Sequence, residues 1–461
     1  MHSLKRCGLL PLCVRRLGQV TLALLSGAAL FLAPAAGLAQ QFREYPQVLG
    51  KNQPLHSAAV PSWMTIDFDL RTRSEGQTAI SYLPGNGYGY DLTRVRGSFE
   101  TRPTHWATTF IQFHDDHALA LPLKYTAANM RDSFDFRQAY LSLHSESLRV
   151  AGGRQEMRFG GERLVGVSDW TNTSRTFDAI TARIGNTNHV DFFSSSVVTV
   201  HPTALDMHAA GLNFHGAYGT IATWVPKTSI EPYVFVKAMP RVLGQQGKYG
   251  TETEATFGSR ILGNAPMHFD YTVEGALQRG SFANDSIHAG AGYAKLGYTA
   301  PLPWLPRLQG QYDYATGNPH TNAYRIGTFD QLYPSAHDVF GLVDLFGWQN
   351  IRQARVNLDL YPTRNLTLLV QNEYLNVANR KDDVYSGSGS VTVKPPTGGF
   401  KSDDLGIGFD VSAKYVYHEY FVVNSGFGHL YPGALMTKNS HGAPQSIAYL
   451  SCTYRFTVNN K

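Results

Sequence analysis

Runs of alternating apolar and polar residues recur along this chain, separated by connections that are short and long in turn. In the last run Ala448, Leu450, Cys452, Tyr454, Phe456 and Val458 share one face, while Ser451, Thr453, Arg455 and Thr457 share the other. Ile66, Phe68 and Leu70 likewise oppose Thr65, Asp67, Asp69 and Arg71, and Val356, Leu358 and Leu360 oppose Arg355, Asn357 and Asp359. Period two is the mark of a strand with unlike faces. A wholly apolar face opposite a charge-bearing one suits a wall between lipid and water.

Eighteen such segments are predicted, near 63–73, 90–101, 105–115, 134–143, 147–158, 177–184, 190–200, 208–224, 231–237, 255–261, 268–277, 288–298, 307–315, 351–360, 366–374, 405–417, 420–426 and 446–458. Every second connection has eight residues or fewer, whereas the others include 238–254, 278–287, 316–350 and 375–404. No stretch beyond the N-terminal leader holds 18 consecutive apolar residues, so membrane helices are excluded. In hydrocarbon every backbone polar group must pair internally, so a strand-built wall has to close. The expected fold is therefore all-β: a closed antiparallel transmembrane barrel of about 18 strands, with long external loops and short periplasmic turns.

The leader has its own signature. Lys5, Arg6, Arg15 and Arg16 precede an apolar run from Leu17 to Ala33, and Gly37-Leu38-Ala39 fits a small-residue cleavage pattern. The expected layout is a signal peptide at 1–39, a short periplasmic segment at 40–62 and the barrel at 63–458. Cleavage would remove four cations and no acid, leaving 36 Lys+Arg against 35 Asp+Glu. So even a balance excludes a nucleic-acid partner, which calls for a basic excess. Cys452 would be the one cysteine left, so no internal disulfide is available. The 25 Tyr and 25 Phe suit interfacial girdles.

Several local patterns resemble the alginate-export family of outer-membrane porins. They are Gly153-Arg154-Gln155 leading to Arg163-Leu164-Val165-Gly166, then Asp169-Trp170-Thr171-Asn172-Thr173 and Arg175-Thr176-Phe177-Asp178. Phe329-Asp330-Gln331-Leu332-Tyr333-Pro334 and Gly426-Phe427-Gly428-His429 continue the likeness, which spans roughly residues 60 to 458. The resemblance implies an eighteen-stranded barrel in the bacterial outer membrane and passive solute movement through its lumen. It also implies an arginine-containing constriction for anionic solutes, with Arg154, Glu156, Arg175 and Asp178 as candidates.

Alternation adds its own pore-lining candidates. Arg94 and Arg96 oppose Val95; Arg154, Glu156 and Arg158 oppose Met157 and Phe159; Arg183 opposes Ile184. An arginine facing lipid at mid-depth costs about 2–4 kcal/mol, which favours the lumen for all of them. The planar guanidinium suits carboxylates because it donates two parallel hydrogen bonds. The expected solutes are uronates, other carboxylated saccharides or small acids. The other expected partners are membrane lipid and the barrel-assembly machinery.

The 35-residue connection 316–350 carries Phe329, Leu332, Tyr333, Val339, Phe340, Leu342 and Phe346, and is expected to pack into or over the lumen. Connection 375–404, with Ser386-Gly387-Ser388-Gly389-Ser390 and Pro395-Pro396, is expected to be mobile. His114-Asp115-Asp116-His117 reads as a solvated strand end rather than a metal site. No cofactor motif and no catalytic signature emerges. A rim enzyme and a secreted carbohydrate-binding β-protein stay open as alternatives to the porin.

Overall fold

The computed structural model describes residues 53–319, 324–418 and 420–460. The leader and most of segment 40–62 lie outside the described residues. Eighteen strands form the wall: β1 Met64–Thr78, β2 Tyr88–Thr104, β3 Ala107–Leu119, β4 Asp132–His144, β5 Leu148–Gln155 and β6 Phe177–Gly185. The middle third is β7 His189–Thr199, β8 Asn213–Val225, β9 Thr228–Leu243, β10 Tyr249–Ala265, β11 Phe269–Phe282 and β12 Asp285–Thr299. Then come β13 Arg307–Ala315, β14 Ile351–Thr363, β15 Leu366–Val377, β16 Asp404–Tyr417, β17 Phe421–Pro432 and β18 Gln445–Asn459.

Sequence neighbours pair antiparallel throughout, and β18 returns to β1 from Ile66–Val458 to Thr78–Ser446, closing the sheet. Each strand matches one predicted segment. No helix among the described residues is long and apolar enough to cross a membrane. A short strand, Gln53–His56, pairs parallel with the end of β18.

The burial pattern inverts that of a soluble protein. Leu277, Leu296, Leu308 and Tyr312 are all more than half exposed on the outer face, where lipid covers such side chains. Their inward neighbours include buried Gln278, Gln309, Gln311 and Asp313. The apolar core lies inside the barrel, where Phe177, Phe214, Phe235, Phe329, Trp348, Leu435 and Met436 belong to one cluster.

Two connections expected to be long are tight hairpins. The structured parts of 238–254 and 278–287 leave only 244–248 and 283–284 outside the strands. Strands continue past the apolar belt, where hydropathy no longer alternates but backbone pairing does.

Connection 378–403 corrects the expectation of mobility. Val384–Tyr385 pairs with Val391–Val393, and Val384, Val393 and Phe400 are buried in the central cluster. The Asp382 carboxylate accepts hydrogen bonds from Asn318 N at 2.7 Å and Thr328 Oγ1 at 2.6 Å. Its serine–glycine run is a tip on an anchored hairpin.

Candidate functional site

The lumen is crossed by the connection 156–176. Strand β5 stops at Gln155, just beyond Gly153, whose φ of 128° only glycine adopts readily and whose added Cβ would meet Ala139 O at 2.2 Å. The chain then turns inward, burying Met157, Leu164, Val165 and Val167. A ladder of arginines on β1 and β2 holds its far part. Arg71 donates to Asp169 O at 2.7 Å, Thr171 O at 3.1 Å and Asn172 Oδ1 at 3.1 Å. Arg73 donates to Trp170 O at 2.7 Å and lies 3.7 Å above the Trp170 ring. Arg94 bridges Asp69 and Asp169, both at 3.0 Å, and Arg96 reaches Asp169 at 3.2 Å and Ser174 Oγ at 2.8 Å. Elsewhere along the loop Arg163 pairs with Asp313 of β13 at 2.5 Å beneath the Tyr293 ring. The loop is thus pinned to β1–β2 and to β13.

Connection 316–350 docks onto this crossing loop, as its apolar content predicts. Tyr333 N donates to Leu164 O and Gly166 N to Tyr333 O, both at 2.9 Å, so the two loops share a short parallel pairing. Arg175 Nη1 contacts three carbonyls across the seam: Gly166 O at 2.9 Å, Tyr333 O at 2.7 Å and Pro334 O at 3.0 Å. His337 stacks on Trp170 with ring centroids 3.6 Å apart, so Trp170 is sandwiched between His337 and Arg73. Lys237 of β9 pairs with Glu252 at 2.9 Å and with Asp330, while Gln278 donates to Asp330 O at 2.7 Å. Arg355 of β14 donates to Asp338 O at 2.9 Å. The hairpin in 378–403 closes the set through Gly347 N to Tyr385 O at 3.1 Å and Gln331 Nε2 to Gly387 O at 2.8 Å.

Potential differs between the two loops. Burial alone would raise the Asp169 carboxyl, yet Arg94, Arg96, Arg71 and Arg137 hold it well below the usual carboxylate range. Asp338, on the second loop, goes the other way: burial pushes it up and Arg355 only partly opposes this. Burial lowers Arg175 to about 10, so it stays cationic near neutrality.

The candidates fall into three groups. Arg94, Arg96 and Arg183 are on the inner face as alternation requires. Arg94 and Arg96 are buried beneath the crossing loop, and Arg183 pairs with Asp191 at 2.7 Å next to a short turn. Glu156, Arg158 and Arg175 belong to the crossing loop rather than to a strand. Glu156 takes Arg137 at 2.5 Å and Arg158 at 3.0 Å, and Arg158 also reaches Glu162 at 2.9 Å.

Arg154 and Asp178 require a correction. They are register partners, on the same face as Gly152 and exposed Ile180, whereas Phe177 belongs to the core cluster and its partner Gln155 is buried. Their ion pair, at 2.9 Å, therefore stands on the outer face, and alternation carried past the end of β5 gave Arg154 the wrong side. His114 and Asp116 also depart from expectation, being buried on the inner face rather than solvated. Arg71, Arg73, Arg137 and Arg163 were missed as site residues. Arg71 and Arg73 alternate with Leu70, a signal that was present, whereas the reach of Arg163 to Asp313 has no local trace.

Comparison with known proteins agrees with this architecture. Solved outer-membrane proteins of the same fold include Acinetobacter baumannii OccAB2, with a TM-score of 0.60 and 7% identity over 86% of this chain and 99% of that one. Pseudomonas aeruginosa OccK8 (OprE) gives 0.59 and 9% over 86% and 99%, and Pseudomonas aeruginosa OpdK, solved with vanillate, gives 0.59 and 11% over 86% and 100%. No curated protein sequence matches the chain. The family model for alginate export matches residues 62–448. With its closed eighteen-stranded wall and loop-filled lumen, the chain belongs to the alginate-export family of outer-membrane proteins.

Proposed function

We propose that this protein is a passive channel for anionic solutes, either carboxylated saccharides such as uronates or small organic acids. One observation carries the reading. Arg71 and Arg175, which hold the crossing loop, donate hydrogen bonds to carbonyl and amide oxygens, and neither forms an ion pair with a carboxylate among the described residues. Neutral oxygens orient a guanidinium without cancelling its charge, and a pore selects by the charges at its narrowest level. The depressed Asp169 carboxyl supports a positive potential around the crossing loop. The capture of vanillate, itself a carboxylate, by OpdK is consistent with such a solute class on this fold.

The test is the reversal potential of the refolded protein in a planar bilayer across a potassium chloride gradient. An anion-leaning value is expected, with Asp169→Asn leaning further toward anions. A cation-leaning wild type would overturn the proposed selectivity while leaving the channel.

A further inference from the structure

A second cluster sits toward the external end of the wall, beside the arginine ladder: His114 lies opposite Arg96 and Asp116 opposite Arg94 in the pairing of β2 with β3. His114 and Asp116 on β3 and Asp132 and Asp135 on β4 are buried on the inner side; His114 is 3% exposed, Asp116 and Asp132 0%. β5 pairs with β4 only from Ala139–Arg154 to His144–Arg149, so residues 132–138 have no β5 neighbour. The loop 200–212 lines that free edge instead. Ser133 N donates to Pro202 O at 3.3 Å, Asp206 N to Asp135 Oδ2 at 2.6 Å, and Arg154 to Asp206 O at 3.0 Å. This brings donor atoms of His114, Asp132 and Asp206 within 4.8 Å of one another.

Two further observations point to a cation. Both carboxylate oxygens of Asp132, and both of Asp116, are shielded from solvent and accept no hydrogen bond. The His114 ring nitrogens approach Asp116 Oδ2 at 2.7 Å and Asp132 Oδ2 at 3.0 Å, but neither contact has hydrogen-bond geometry. The neighbouring guanidiniums are engaged elsewhere: Arg94 with Asp69 and Asp169, Arg96 with Asp169, Arg154 with Asp178. Among the described residues no Lys or Arg forms an ion pair with Asp116, Asp132, Asp135 or Asp206, and buried charges persist only when paired or coordinated.

We propose that His114, Asp132 and Asp206 bind a divalent first-row transition cation. His114 Nε2, 3.0 Å from Asp132 Oδ2, supplies the nitrogen ligand, while Nδ1 lies 2.7 Å from Asp116 Oδ2 on the other side of the ring. One imidazole with two carboxylates suits zinc or manganese better than calcium, which prefers an all-oxygen shell. The ion ties the 200–212 loop to the wall where β5 ends.

The experiment uses the full-length protein, folded in detergent, stripped with chelator and titrated with zinc at neutral pH by calorimetry. One zinc per chain is expected, with affinity falling roughly tenfold or more in Asp206→Asn and in His114→Gln. Exposed His117, paired with Asp115 at 3.1 Å, provides the control, and His117→Gln should bind as wild type does. Heat-modifiable gel migration establishes that each variant is a folded barrel. Zinc should also raise the thermal midpoint of wild type but not of Asp206→Asn. Absence of zinc uptake by the folded wild type overturns the site, as does unchanged affinity in either ligand variant.

Discussion

Replacing Arg163 by Met tests whether the crossing loop is latched to the wall. The Arg163–Asp313 pair is 2.5 Å long and nearly solvent-free, with side chains 8% and 0% exposed. Asp313 has one other donor, Gln311 Nε2 at 2.7 Å. Methionine keeps apolar contact beneath Tyr293 but strands the Asp313 charge. Removing one partner of a buried pair costs about 3–5 kcal/mol, and the retained amide donor places this case near the lower end. Since each 1.4 kcal/mol is tenfold, the ratio of latched to unlatched loop should fall by roughly two decades or more. Single-channel recording reads this as frequent excursions to a higher-conductance level that are rare in wild type. Adding Asp313→Asn removes the stranded charge and should restore much of the quiet state. A Met variant as quiet as wild type would refute the latch. A double variant as noisy as Arg163→Met alone would show that the charge is not the cause.

Three other outcomes follow from the wall and the loops. Gly153→Ala places a Cβ 2.2 Å from Ala139 O at φ 128° and should abolish the heat-modifiable folded form; normal folding would mean the β4–β5 pairing relaxes freely. Ile180→Arg, on the outer face at 66% exposure, should destabilise the barrel in lipid by about 2–4 kcal/mol, whereas Thr181→Arg, facing inward, should cost far less. Equal denaturant midpoints for the two would contradict the assigned faces. Asp338→Asn should stabilise the protein at neutral pH. A carboxyl raised by folding keeps its proton more readily in the native state, so its contribution is favourable in acid and is lost as pH rises through the native value. The gain in thermal midpoint should therefore be larger at pH 7.5 than at pH 4, and the reverse order would refute the assignment.

The wall was legible in the sequence because lipid imposes a two-residue period that nothing else in this chain obscures. Ile66 to Leu70 and Ala448 to Val458 announce their faces without reference to any other segment. Strand ends were not legible, since β9 and β10 run past the belt through residues such as Arg241 and Glu252, where hydropathy stops alternating. The same limit misplaced Arg154: the period was extended through Glu156 and Arg158 after the chain had left the sheet. Loop burial was legible for 316–350 from its aromatic content but not for 378–403, where Val384, Val393 and Phe400 are diluted among serine and glycine. Arg163 with Asp313 and His114 with Asp206 lie about 150 and 92 residues apart, beyond the reach of any local pattern.

The interior loops tie the width of the pore to the order in which the chain folds. Arg175 meets Tyr333 and Pro334 across 158 and 159 residues, and Ser335 meets Glu162 across 173. Contacts of such sequence separation form late, because the intervening chain must be ordered first. The wall, made almost wholly of neighbour-to-neighbour hairpins, has no such delay except at its single β1–β18 seam. A freshly closed barrel would thus be a wide, unselective hole until its loops settle. The cell envelope would experience that interval as a leak, and the arginine seam is what ends it.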